Sequence, residues 1–109
     1  MLKQAEINQV ITRITKKISK DCNPEKIVLF GSYAKGTSRY DSDIDLLVVK
    51  DSKLRRDERD QEIRRSLREI KFPLDIFVYT PQEVDEYSRL KGSFIAKIFR
   101  EGRVLYERK

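Results

Sequence analysis

Ile7, Val10, Ile11, Ile14 and Ile18 recur at helical spacing, with lysine, arginine and glutamine among the residues between them. The pattern predicts an amphipathic first helix over roughly residues 3–20. Asn23-Pro24 ends it, because the residue before proline avoids the helical region. Lys26-Ile27-Val28-Leu29-Phe30 is rich in β-formers and stops at Gly31, so it reads as a first strand. Ser32 to Lys35 suits a short helix closed by Gly36. Thr37 to Ser42 is polar and reads as a loop. Ile44 to Val49 is a second strand, and its near-continuous apolar character predicts burial on both faces under helices.

The stretch 50–71 carries nine basic and six acidic side chains. Ile63, Leu67 and Ile70 fall on one helical stripe within it, predicting a long charged helix with a narrow buried face. Acids interleave with the bases throughout, so most of these charges are expected on a solvated surface with i,i+4 ion pairs. Pro73 opens a third strand, Leu74 to Tyr79. Thr80-Pro81-Gln82-Glu83 is a capping box with proline at the first helical position, so a helix starts there. Gly92-Ser93 separates that helix from a last one. Phe94, Ile95, Ile98 and Phe99 form its apolar face, with core packing the expected use, and Gly102 stops it. Val104-Leu105-Tyr106 suits a short edge strand. The order α-β-α-β-α-β-α-α-β predicts an α/β (α+β) fold with a small mixed sheet and helices packed against it. The whole span 1–109 is expected to be one domain.

Composition narrows the chemistry. The chain has no histidine, which removes histidine-ligated zinc, histidine bases and Ser-His-Asp catalysis. A bound metal would be held by carboxylate oxygen, which points to magnesium or manganese. The single cysteine, Cys22, forms no intrachain disulfide and is expected to be structural. No apolar run approaches the ~18 residues that span a bilayer, and no signal-peptide pattern opens the chain. The expected location is therefore cytoplasmic, without membrane association. The net charge of +6 suits an anionic partner without choosing one, and serves solubility equally well.

The acids are the informative residues. Asp43 and Asp45 form an Asp-x-Asp ten residues beyond Gly31-Ser32, and Asp75 interrupts the apolar run from Leu74 to Val78. Carboxylates in apolar runs are costly unless partnered. Alternation along a strand would put Asp43 and Asp45 on one side, ~7 Å apart. That spacing suits paired divalent cations, which sit ~3.5–4 Å apart in two-metal phosphoryl-transfer sites. If the third strand pairs with the second, Asp75 can join them. Gly31 would let the backbone approach a phosphate, with the Ser32 hydroxyl and the following amides as donors. Innocent roles exist for single pieces. Asp41 suits a turn-shaping role, and Asp43 could cap the strand start. Asp45 and Asp75 are harder to explain that way, and one shared site accounts for all three acids.

The composite of Gly31-Ser32-Tyr33-Ala34-Lys35-Gly36, then Ser42-Asp43-Ile44-Asp45-Leu46-Leu47-Val48, then Asp75 resembles the DNA polymerase β-like nucleotidyltransferase superfamily. Within it, the short chain is similar to the minimal nucleotidyltransferases (MNT), which are typically encoded beside HEPN-domain proteins. The resemblance extends over nearly the whole chain, including the final Ile95-to-Tyr106 segment. It implies a polymerase β-like fold and ATP as substrate. Gly31 and Ser32 would bind its triphosphate. Asp43, Asp45 and Asp75 would be the catalytic carboxylates and hold two Mg2+ ions. The implied reaction is attack of an acceptor hydroxyl on the α-phosphate, releasing pyrophosphate. The implied role is an antitoxin that adenylylates a tyrosine of a HEPN ribonuclease toxin. Lys35 stands where such motifs often carry arginine. It keeps the charge but loses the bidentate geometry, and its role stays open.

Two other readings follow from the same residues. The chain could neutralise its partner by contact, binding nucleotide without transferring it. It could also modify a small molecule of the aminoglycoside type, which would require an oligomer to complete the acceptor pocket. A HEPN toxin and ATP are the expected partners, in a hetero-oligomer or homodimer. Direct nucleic-acid binding is not expected.

Overall fold

The computed structural model describes residues 3–39 and 42–109. Its elements run α1 Gln4–Cys22, β1 Lys26–Phe30, α2 Ser32–Lys35, β2 Ile44–Val49, a 3-10 turn Arg56–Glu58, α3 Asp60–Ser66, β3 Leu74–Tyr79, α4 Pro81–Ser88, α5 Phe94–Glu101 and β4 Arg103–Glu107. The expected mixed α/β architecture is present. The four-stranded sheet has the order β3-β2-β1-β4, so β4 is indeed an edge. β1 is antiparallel to both β2 and β4, whereas β2 and β3 are parallel. The parallel pair is joined by the crossover that carries α3, as parallel strands require.

Strand alternation divides the interior into two layers. Ile27 and Leu29 of β1, Ile44, Leu46 and Val48 of β2, and Ile76 and Val78 of β3 face α1 and α3. There they meet the stripe Ile7, Ile11, Ile14 and Ile18, together with Ile63 and Leu67. The opposite face holds Val28, Leu47, Val49 and Tyr79, covered by Ile95 and Ile98 of α5. Cys22 is buried in the first layer as a free thiol. Ile95 and Ile98 are thus core residues, as expected, while Phe94 remains exposed.

The long helix expected over 50–71 does not form. Only Asp60–Ser66 is α-helical, preceded by an irregular segment and the 3-10 turn. Periodicity correctly placed Ile63 and Leu67 on a buried stripe, but no apolar side chain anchors the residues before them. At Ser52 the side chain competes with helix: its hydroxyl accepts from the Leu54 amide. Further on, Arg59 turns away to donate to Glu83 at 2.6 Å and to the Val78 carbonyl. Leu67 then closes α3 with its amide shared between the Ile63 and Arg64 carbonyls.

The Thr80–Glu83 capping box forms as expected, with the Glu83 amide donating to Thr80 Oγ1 and the Thr80 amide to Glu83 Oε1. Arg56 stacks over the Tyr79 ring at 4.5 Å and donates to Glu83 and the Tyr87 hydroxyl. Burial alone would raise the Glu83 pKa. Hydrogen bonds from Arg59, the Thr80 amide and Arg56 outweigh it and hold the carboxyl at about 2. A depressed acid contributes stability above its unfolded pKa and loses it as pH falls toward the folded value. Glu83→Gln is therefore expected to cost on the order of 3 kcal/mol at pH 7, partly by stranding Arg59, whose side chain is only 9% exposed. Urea unfolding should show this gap narrowing between pH 4.5 and 2; a gap independent of pH would refute the electrostatic account.

Candidate active site

β2 and β3 pair in parallel with Asp45 directly beside Asp75. Both lie on the face covered by α4 and α5, since Leu47 and Val49 follow Asp45 on that side. The pairing that the three-acid expectation required is thus present. Asp45 is half-buried and Asp75 exposed. Burial, then the nearby charges of Asp75 and Asp43, and a hydrogen bond with Asp75 push the Asp45 carboxyl up to about 6. Burial and like charge both disfavour the ionised form of Asp45, and a cation bound there would offset the repulsion.

Asp43 lies one residue before β2 and is exposed. It contributes charge to Asp45, but among the described residues no three acidic, cysteine or histidine side chains converge as a ready metal-binding group. The structure therefore sets Asp45 beside Asp75 on adjacent strands, with Asp43 exposed one residue before β2 and acting on Asp45 through its charge. The donor set nevertheless fits magnesium or manganese: it consists of hard carboxylate oxygens, and a cation would relieve the repulsion that raises Asp45.

Gly31 borders the acid pair. Its backbone is left-handed and extended, with φ 76° and ψ −155°, a region essentially reserved for glycine. A side chain there would overlap the Asp45 carboxylate. The Ala34 and Lys35 amides donate to the Gly31 carbonyl, and the Thr37 amide to the Ser32 carbonyl, closing α2 as a single turn. This turn therefore packs against Asp45 without an intervening side chain. Tyr33 reaches the far side of the loop, donating to the Ser42 carbonyl at 3.3 Å. The Arg39 amide donates to Ser42 Oγ, and the Ser42 amide to the Arg39 carbonyl. Residues 37–39 and 42–43 have no regular structure, matching the expected loop. Asp41 and its turn-shaping role lie outside the described residues.

Lys35 does not point to the acids. It pairs with Glu101 at the end of α5, at 2.9 Å, and this contact, against a small cost of desolvation, lowers the Glu101 pKa. Further on, Gly102 lets α5 pass against the Leu29 carbonyl, where a side chain would collide with backbone.

Three rings at the site were not singled out as a group in the sequence. Phe30 is the cross-strand partner of Asp45, Phe77 follows Asp75 by one strand period, and Phe94 opens α5. Their centroids lie 5.4–5.8 Å apart in tilted and edge-to-face contacts. Phe77 and Phe94 keep 37% and 45% of their surface exposed. The period-2 relation of Phe77 to Asp75 was the available signal, although an apolar strand residue looks like core.

A mixed sheet with paired acids beside a Gly-Ser turn is the arrangement of a nucleotidyltransferase domain. The profile of the family described as "Polymerase beta, Nucleotidyltransferase" matches residues 12–109, and the chain belongs to this family. Among solved structures, a candidate nucleotidyltransferase from Sulfolobus solfataricus matches with a TM-score of 0.69 and 20% identity, over 96% of this chain and 84% of its own. A toxin-antitoxin structure with AMP-PNP matches with a TM-score of 0.61 and 21% identity, over 89% and 73% of the two chains. The MntA-HpeT toxin-antitoxin pair, in a mutant with two aspartates two positions apart changed to glutamate, gives 0.59 and 19% over the same shares. At these identities the likeness is one of fold. No curated protein matches the chain in sequence.

Proposed function

We propose that the chain is a Mg2+-dependent nucleotidyltransferase that moves AMP from ATP to a protein hydroxyl, a tyrosine of a HEPN-type toxin, and so acts as a cytoplasmic antitoxin. The observation that carries this reading is the Asp45–Asp75 pair, in register on adjacent strands and beside Gly31. The toxin-antitoxin assemblies among the structural neighbours, one of them with AMP-PNP, support the antitoxin role.

In this reading Gly31 and the Ser32 hydroxyl receive the triphosphate. Asp43 and Asp45 hold two Mg2+ ions, with Asp75 as the third carboxylate. Bound there, the metal supplies charge stabilisation to the oxygens entering and leaving the α-phosphorus. Asp75, the more exposed of the strand pair, faces the acceptor and takes the proton from its hydroxyl. The acceptor oxygen bonds to the α-phosphorus as the bond to the bridging oxygen breaks, and pyrophosphate leaves.

The test is label transfer from α-labelled ATP with magnesium into the adjacently encoded protein or a host lysate. A labelled protein that disappears with Asp43→Asn/Asp45→Asn supports the proposal. Magnesium-ATP binding without any label, in a chain that still neutralises its partner, would replace it with antitoxin action by contact.

A further inference from the structure

A half-open cavity of about 180 Å3 lies on the β1 side of the acids, lined by Phe30, Gly31, Lys35, Phe94, Lys97 and Glu101, with Ile98 at its base. Its character is mixed. Two aromatic rings and an isoleucine supply apolar wall, while one carboxylate and two ammonium groups supply hydrogen-bonding edges. Lys35 is already neutralised by Glu101. A second phosphate-binding pocket is therefore a poor fit, because the Glu101 carboxylate would repel the anion. A protein segment is a poor fit too, given the volume. What matches is a flat heteroaromatic group with a π-face and an edge carrying both donors and acceptors. The position adds to this: Gly31 is shared between the cavity and the acid pair.

We infer that this cavity is the nucleobase subsite, with Phe94 as the stacking surface and Lys97 and Glu101 reading the base edge. The inference rests on the nucleotidyltransferase reading and adds to it the residues that hold the nucleoside. Phe94 is suited to stacking because its ring is braced edge-on by Phe30 and Phe77, yet nearly half of its surface is open. Lys97 and Glu101 are one helical turn apart, and Lys97 lies one turn beyond Phe94, so all three share a stripe of α5.

Calorimetric titration of the full chain with magnesium-ATP and with magnesium-tripolyphosphate, which lacks the nucleoside, separates the two sites. Phe94→Ala should weaken ATP binding about tenfold while leaving tripolyphosphate within about twofold, because it removes the stacking ring and no group that touches phosphate. Phe94→Tyr, which keeps the ring, should restore ATP binding. Unchanged ATP affinity in Phe94→Ala would overturn the assignment, as would an equal loss for both ligands. If tripolyphosphate and ATP both fail to bind the unaltered chain, the nucleotidyltransferase reading itself fails and this subsite with it. If both bind and only the Phe94 dependence is missing, that reading stands and the base lies elsewhere.

Discussion

Asp45→Asn is expected to lower AMP transfer by at least 10²–10³-fold, the scale of the several kcal/mol that metal-based charge stabilisation supplies to a transition state. The same change is expected to make the ligand-free chain more stable at pH 7. The sign follows from the shift. Asp45 titrates at about 6 in the folded chain and near 3.8 when unfolded. Below pH 3.8 both states are protonated and the group has no effect. As pH rises from there to 6, the unfolded state sheds its proton first, so folding becomes less favourable, and the full penalty remains above 6. Discounted for the partial exposure of the group, removing the charge should return about 1–2 kcal/mol. Urea midpoints at pH 7 and pH 3.5 are the measurement. The variant should exceed the parent at the higher pH and match it at the lower one. Magnesium should raise the parent's midpoint and leave the variant's nearly unchanged. A variant less stable than the parent at pH 7 would mean that Asp45 is held by contacts rather than stressed by its neighbours.

Gly31→Ala should abolish transfer and destabilise the fold by roughly 2–6 kcal/mol, combining about 1–3 for the strained backbone region with about 1–3 for the overlap with Asp45. The two contributions can be separated. Trimming Asp45 to alanine removes the overlap but leaves the dihedral strain. Gly31→Ala/Asp45→Ala should therefore be more stable than the two single effects predict, and unfolding of all four proteins closes the cycle. Strict additivity would show that the glycine is required for its backbone alone. Activity cannot recover in the double variant, since Asp45 is gone.

Much of the fold was legible in local chemistry. The ends of β1, β2 and β3 are set by Gly31, by the loop before Ile44, and by Pro73 and the Thr80 cap, each a short-range signal. The stripe of isoleucines in α1 is long and regular enough to have one reading. The segment 50–71 was misread because a periodic stripe at its end says nothing about where the helix begins. Local competition at Ser52 and the contact of Arg59 with Glu83, 24 residues away, act against helix there, and the second is not visible locally. At the site, the identity of the acids was visible, but the neighbour of Asp45 was not. It depended on β2 and β3 being adjacent and in register, a long-range fact. Asp43 was grouped with Asp45 by strand alternation; it lies one residue before β2, exposed, and its charge acts on Asp45. The aromatic trio was hidden for another reason: phenylalanines in amphipathic elements are normally core, and nothing local marks two of them as half-open.

The side-by-side placement of Asp45 and Asp75 bears on how the chain finds its fold as well as on what it does. A one-residue slip of β3 along β2 would turn every β3 side chain over. Asp75 would then enter the isoleucine layer beneath α1 and α3, while Ile76 and Val78 would face the half-open side. Burying an unpaired carboxylate in that layer is among the costlier errors a small domain can make. The acid thus acts as a proofreading mark for the only parallel strand pair among the described residues. Replacing Asp75 by an apolar residue would remove a site acid and also erase a cue that tells the sheet which way β3 faces.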